Sequence, residues 1–499
     1  MFYQKQNKYQ KGDMKMNYRN IIHVAFIALI VLMISVMTAC EATEKETTQI
    51  STEPAETLKA DPQLNVGNET YDGERFAILT TKHNEWEHVV MEPNGEIVND
   101  AVCNRNLAAE NLLDIEIEYI VELGNWDERN EYCNLIRSDV MANAKAYDLV
   151  TGVTVCMMPL TLEKVFLSSN ELENVNIENP WWVNNMMEDI GLNGKLYGLL
   201  GDACINLYTD LAVFYFNVNI LDEYNLENPY EIVRAGNWTV DKLSEMVKVA
   251  SLDVDGNGKM EADSDRFGMM GFTTVNRSFI TGAEIQIIPI IEGEPVVADL
   301  SERLVSLYEK LYRLCVESDS YITVIGDYTQ NATHFLNGQT LFIDNWLRAI
   351  DLFRDMEDDF GIIPYPKFED VQKSYHTQIG TSTSMLFVPI TAKNAELSSK
   401  VEETISYYGW KDVVPAYYEV ALKEKYTRDE DVKDMLDIIR SSAQMNFTFA
   451  YSTMFSPFPN LLTEFRDKSE NNNIASIYAS NKPQWEAQLE NIIETLTNE

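Results

Sequence analysis

Residues 115–119 read Ile-Glu-Ile-Glu-Tyr, and this strict alternation decides the fold class. Side chains at period two put Ile115, Ile117 and Tyr119 on one face of a strand and Glu116 and Glu118 on the other. Upstream, Ala101 to Leu113 has helical spacing and Phe76 to Leu79 is a short apolar run. Downstream, Tyr132, Leu135, Ile136 and Val140 recur at helical spacing, and Leu149 to Val155 is another β-branched run. The order β-α-β-α-β implies a parallel sheet with helices on its faces. Ligands of such sheets sit beyond the carboxyl ends of the strands.

A second block follows. Leu211 to Phe216 (LAVFYF) has the composition of a buried strand. Thr239 is placed to cap a helix that turns Leu243, Met246, Val247 and Ala250 inward. Leu304, Leu307, Tyr308, Leu311, Leu314 and Cys315 share one helical face, Leu341 to Ile343 and Met385 to Val388 read as strands, and the chain from Ala395 onward is mostly helical. At 499 residues the chain exceeds what one hydrophobic core usually serves, so more than one lobe is expected.

The formal net charge of −40 disfavours phosphate backbones and anionic head groups, so nucleic acid is excluded as a partner. An anionic ligand is disfavoured too, unless a local basic pocket overrides the bulk field. The six cysteines contain no CxxC pair and no zinc-site spacing, and with Cys40 set aside five remain, which is not a disulfide framework.

The N-terminus carries Lys15 and Arg19 ahead of an unbroken apolar run from Val24 to Ile34, then Met37-Thr38-Ala39-Cys40. A charged start, an apolar middle and small residues before a cut make an export signal over 1–39, with Met14 or Met16 as the expected true start. Ile21 to Ala39 nearly reaches the ~20 residues of a membrane span, so an uncleaved anchor is the competing reading. Small residues followed by Cys40 resemble the bacterial lipobox, which implies lipidation of that thiol, although Met37 stands where Leu is preferred. Residues 40–70, rich in Thr and Glu, read as a disordered tether.

An ordered series of short motifs carries a wider resemblance. Asn193-Gly194-Lys195-Leu196-Tyr197 leads into Gly201-Asp202 and Phe214-Tyr215-Phe216-Asn217. Gly236-Asn237-Trp238-Thr239 stands directly before a helix. Then come Phe335-Leu336-Asn337-Gly338-Gln339, Phe342, Asn345-Trp346 and Phe360-Gly361-Ile362-Ile363-Pro364-Tyr365-Pro366. From about residue 74 onward this series resembles the extracellular solute-binding proteins of carbohydrate ABC importers (family 1). The resemblance implies an α/β, two-lobed, periplasmic-binding-protein-like fold of type II, with the ligand cleft between lobes. It implies lobe 1 at 71–213 plus 385–445, and lobe 2 at 214–384 plus 446–499. It also implies a monomer that delivers a sugar or oligosaccharide to permease subunits, anchored to the membrane by lipid, with no cofactor required.

Capturing a neutral sugar takes aromatic platforms for C–H faces and planar polar groups for hydroxyls. Trp181 and Trp182 are adjacent, so on a strand they would face opposite ways. Trp346, after a buried strand, stands where the family often places a stacking aromatic. Arg348 is suited to donate to hydroxyls or to form a surface ion pair, and Asp344 is a comparable candidate. Asp210 opens the strand that crosses between lobes, where maltodextrin binders place a carboxylate on sugar hydroxyls; Asp202 and Tyr208 are near it. Glu85 and Trp86 follow the first strand, where the family's first ligand loop begins. Tyr365 is expected either to line lobe 2 or to brace its Pro-rich loop.

Asp253, Asp255, Asn257 and Gly258 have the D-x-D-x-N-G spacing of a calcium loop, with the Lys259 carbonyl and Glu261 as further oxygens. The twelfth position is Ser264, so a one-residue shift to Asp265 is needed for a structural calcium; a solvated acidic turn is the alternative. Enzyme signatures are sparse: no HExxH, no P-loop, and Gly380-Thr381-Ser382-Thr383-Ser384 half-resembles a nucleophile elbow. A secreted glycosidase and a scaffold lipoprotein stay open as alternatives, since a glycosidase needs only two carboxylates.

Overall fold

A computed structural model describes residues 62–124, 127–183, 185–272, 278–324, 328–354, 356–418, 430–456 and 473–497. Cys40, Met37 and the signal segment lie outside them. The elements that position the site are, in chain order, β1 (Glu74–Thr81), α1 (Ile97–Leu113), β2 (Ile115–Glu122), α2 (Arg129–Ala142), β3 (Leu149–Val153) and α3 (Thr154–Thr161). Then come β4 (Ala212–Asn217), α4 (Val240–Val249), β5 (Phe267–Phe272), α5 (Glu302–Tyr312), β6 (Tyr321–Val324), α6 (Tyr328–Leu336), β7 (Thr340–Trp346) and β8 (Phe360–Ile363). The last are β9 (Ser384–Phe387), α7 (Ala395–Tyr408), α8 (Glu430–Ser441) and α9 (Ile474–Thr497).

Two sheets organise the chain. The first has the order β9-β3-β1-β2 and the second β8-β4-β7-β5-β6. In the first, β1 runs parallel to β2 and β3, and β9 is antiparallel to β3. In the second, β5 runs parallel to β6 and β7, and β4 is antiparallel to β7 and β8. Each sheet therefore holds one strand against the grain, and in each it is the strand that has just arrived from the other sheet's part of the chain.

Burial follows the sequence pattern. Ile115 and Ile117 are buried while Glu116 and Glu118 are exposed, as the alternation requires. Every residue of β4 is buried. Thr239 caps α4, its hydroxyl accepting from the Lys242 N–H. The Asn193-Gly194 turn closes between Leu192 and Lys195, with φ of 52° and 73°; Gly194 suits that left-handed backbone, as it has no Cβ to clash. The run expected to continue as a strand to Val155 stops at Val153, because the Thr154 N–H and hydroxyl both bond the Thr383 carbonyl and turn the chain into α3.

The segment expected to be a free tether as far as residue 70 joins the folded body earlier: Val66 is buried in the core and Leu64 packs beside it. Lys400 of α7 fixes this entry, with Nζ 2.7 Å from Glu69, 2.9 Å from Glu396 and 5.5 Å over the Tyr71 ring. Backbone bonds from Tyr71 to Leu113 and from Gly73 to Asp114 complete it. α7 packs on α1. α8, expected with the first lobe, packs on β8 of the second sheet, and Arg234 of that side is ion-paired to its Asp431 and Asp434.

Three passes of the chain lie side by side between the sheets. Leu211 bridges Ile379, and the Gly380 N–H bonds the Asp210 carbonyl at 2.8 Å. Thr377–Gln378 runs parallel to Ala443–Gln444, and the Ile379 N–H bonds the Gln444 carbonyl at 3.0 Å. A Cβ at Gly380 would stand 3.2 Å from both Asp210 and the Trp346 indole, a tight contact, so a side chain there would press the second pass against its neighbours.

Candidate functional site

A cleft of about 720 Å³ opens at the carboxyl ends of β1 and β7. One wall comes from the loop after β1 and the start of α1 (His83, Asn84, Trp86, Asn94, Glu96, Val98 and Asn99), together with Asn206 and Thr209 just before the first crossing. The other comes from α6 and the turn after β7 (Tyr328, Arg348, Ile350 and Asp351), with Tyr417. Such a volume fits a small-molecule ligand. Aromatic surface is supplied by Trp86 (44% exposed), Tyr328 and Tyr417, and planar polar groups by four asparagines.

A buried network stiffens the first wall. Glu87 accepts from the Asn206 N–H at 2.9 Å and from the Ser384 hydroxyl at 2.7 Å. Asn206 Nδ2 donates back to Ser384 Oγ at 3.1 Å and Asn84 Nδ2 donates to the same oxygen. The Ser384 hydroxyl is thus committed to Glu87. Burial pushes the Glu87 carboxyl up to about 7, against the Asn206 and Ser384 bonds and the nearby Arg105 guanidinium. His88 beside it is held well below its usual range by burial and by Arg105.

Of the residues singled out from sequence, Trp86 and Arg348 line the cleft. Arg348 approaches Asp210 at 2.9 Å and lies over the Tyr328 ring, its guanidinium carbon 4.9 Å from the centroid. The approach to Asp210 is a close ion pair outside hydrogen-bond geometry: Asp210 Oδ1 and Arg348 Nε have no hydrogen-bond partner among the described residues. Asp210 is 1% exposed; burial raises its carboxyl, opposed first by Arg348 and then by His83. Glu85 is ion-paired to Lys82 on the surface.

The remaining candidates stand away from the cleft lining. Trp346 is the last residue of β7, buried against Gly380. Trp182 is buried in the first lobe, its indole N–H donating to Glu403 at 3.0 Å, and Trp181 packs on Tyr407 and Trp410. Asp344 and Tyr365 form a pair inside the second lobe, the Tyr365 hydroxyl donating at 2.9 Å and the Phe272 N–H at 2.6 Å. Desolvation pushes Asp344 up to about 7. The Tyr208 hydroxyl donates to Asp202, and Arg440 covers the rings of Tyr208 and Tyr418 at 5.2 and 5.0 Å. Asp202, too, is pushed up to about 7 by burial.

The acidic loop lies elsewhere, between α4 and β5. Asp253, Asp255 and Asp265 bring one oxygen each within 4.8 Å of one another. Asp253 accepts from the Gly256 and Gly258 N–H groups, Asn257 accepts from the Lys259 N–H, and Asn257 Nδ2 donates to Asp255 and, at 3.4 Å, to Glu261. Asp265 takes the Val254 and Glu261 N–H groups, so the gathered third acid is the one displaced by a residue from the ideal loop position. The turn thus gathers three carboxylates, the ligand type hard divalent cations prefer, of the roughly six to eight oxygens a calcium ion takes.

No protein-family model matches the chain, and no curated protein matches it. Solved structures do match in fold. UspC of Mycobacterium tuberculosis superposes with a TM-score of 0.52 at 13% identity, over 83% of this chain and 100% of that one. A sugar transporter protein of Rhizobium etli in an open conformation gives 0.51 at 13%, over 85% and 99%. The cyclic α-maltosyl-1,6-maltose binding protein of Arthrobacter globiformis gives 0.51 at 12%, over 86% and 100%. With the two mixed sheets, the three crossings and the cleft between them, this likeness establishes the chain's fold as the two-lobed, periplasmic-binding-protein-like fold of type II.

Proposed function

We propose that this chain is an extracellular solute-binding protein that captures a saccharide between its lobes, leaves it intact and delivers it to the permease subunits of an ABC importer. The observation that carries the reading is the cleft: its walls come from both sheets and meet at three adjacent crossings, the arrangement a hinged clamp requires. The exposed indole of Trp86, the rings of Tyr328 and Tyr417 and the asparagine carboxamides match the flat faces and hydroxyls of a sugar. The sugar ligand named for the Arthrobacter protein is consistent with this.

The chain works as a monomer, held to the outer face of the cell membrane through a lipid on Cys40 after removal of residues 1–39. Its lobes divide at the crossings near 211, 379 and 444. Calcium in the Asp253–Asp265 loop is structural and takes no part in capture.

A thermal-shift screen of oligosaccharides tests the reading. A captured sugar at a hundredfold excess over its Kd adds about 2.7 kcal/mol to stability and raises the Tm. Trp86→Ala should cut affinity roughly tenfold, the loss of one aromatic platform. Release of reducing ends from the bound sugar would instead make the chain a glycosidase, and no shift with any saccharide would overturn sugar capture.

A further inference from the structure

Arg348 is the one lysine or arginine that lines the cleft among the described residues. Alone it would advertise a receptor for carboxylates, because a guanidinium fork matches them in shape. Its surroundings say otherwise. The guanidinium is packed on the Tyr328 ring and set 2.9 Å from Asp210, a carboxylate almost wholly removed from water in the first crossing segment. Asp210 depends on it: a ligand carboxylate that drew Arg348 away would leave a buried charge without its counter-ion, a costly exchange. A hydroxyl asks for no such exchange, since it bonds a guanidinium that stays paired. Glu96, which caps α1 by accepting from the Val98 and Asn99 N–H groups, and Asp351, 3.8 Å from Arg354, add two exposed carboxylates to the lining. The net charge of −40 carries the same sign into the approach.

We propose that the cleft selects uncharged saccharides and rejects their uronate counterparts, with the Arg348–Asp210 pair as the specificity-determining element and Asp351 reinforcing it. This rests on the saccharide-binding reading above and adds the charge class of the ligand. The pair neutralises the one lysine or arginine of the lining among the described residues, and the remaining charged side chains there are acidic. Like charges brought together in an interface weaken binding strongly.

Calorimetric titration of the full chain with neutral trisaccharides of glucose, mannose and galactose, and with the uronate trisaccharides of the same three configurations, tests the proposal. The chain should bind at least one neutral sugar and bind its uronate partner on the order of tenfold more weakly or worse. Asp210→Asn releases Arg348 and should recover the uronate by roughly tenfold relative to the neutral sugar. Asp351→Asn, on an exposed residue, should move the same ratio in the same direction by a smaller factor, and serves if Asp210→Asn does not fold. Equal or tighter binding of uronates by the unmodified chain would overturn the charge selection while leaving saccharide capture standing. A ratio unmoved by the folded variants would overturn the role of the pair. Binding of neither set would overturn both readings together.

Discussion

The two sheets share a plan and differ in what they bury. Both hold parallel strands and one antiparallel strand that has crossed over. Behind the second sheet's strands lies a nearly continuous aromatic core: Phe214, Trp238, Phe279, Phe342 and Tyr365 meet at centroid distances of 4.8–6.4 Å. The first lobe has fewer such contacts and a dense set of buried ionisable groups instead: Glu87, His88, Arg105, Asp202, Glu402 and Glu403. Arg105 alone bonds the Ala203 and Glu87 carbonyls and Asn106 Oδ1. Glu402 has no partner at either oxygen among the described residues, and burial keeps its carboxyl well above the usual range. One lobe is held by aromatic shape and area, the other carries buried polar and ionisable groups, some bonded and some, like Glu402, without a partner among the described residues, and the polar one supplies most of the cleft lining.

Truncation should separate the two. Trp238→Ala removes a fully buried ring and its indole bond to the Pro364 carbonyl, and should cost about 3–5 kcal/mol by denaturant unfolding. Arg105→Met keeps volume but leaves buried acceptors without donors, and should cost roughly 2–3 kcal/mol. A larger loss from Arg105→Met than from Trp238→Ala would invert the comparison.

Acidity should separate them next. Glu87 and Asp202 on the first side and Asp344 on the second have folded pKa values raised to about 7. A carboxyl raised in the folded state favours folding while it is protonated. That stability is complete below its unfolded pKa and is lost as pH rises towards 7. The Tm should therefore fall between about pH 4.5 and 7.5. Glu87→Gln together with Asp202→Asn should flatten the slope more than Asp344→Asn does. An equal slope in all variants would show that the surface charge governs it.

The smallest effect belongs to the acidic loop, which sits at the edge of the second lobe. Calcium should raise the Tm by about 1 °C, the equivalent of about 1 kcal/mol in a chain this long. Asp253→Ala should abolish the rise, and no calcium effect on melting would remove the metal from the account.

The fold was legible because the strands announce themselves locally. The alternation at Ile115–Tyr119 and the apolar run at Leu211–Phe216 need only neighbouring residues to be read, and Thr239 caps its helix from one position away from it. The cleft was less legible because its chemistry is settled across the chain. Trp181 and Trp182 look like ligand platforms until Glu403, 221 residues beyond Trp182, claims the indole N–H. Trp346 looks free until the second crossing lays Gly380 against it. Asn84 ends a short turn after β1, Asn94 sits in the loop before α1 and Asn99 in its first turn, and no period in the sequence joins them. Tyr328 starts a helix twenty positions before Arg348, and nothing in the spacing joins them. Arg348 and Trp86 were recoverable because they follow strand ends, where parallel sheets hold ligands.

The attachment of the chain's entry has a mechanical consequence. A pull transmitted along the backbone into Tyr71 passes to Leu113 at the end of α1 and, through Lys400, into α7. Both helices belong to the shell of the first sheet, and the bonds named here for Glu69, Tyr71 and Gly73 all run to that side. The load path ends in one lobe. The other carries no tension from that side, and in a hinged body it is the half left free to swing.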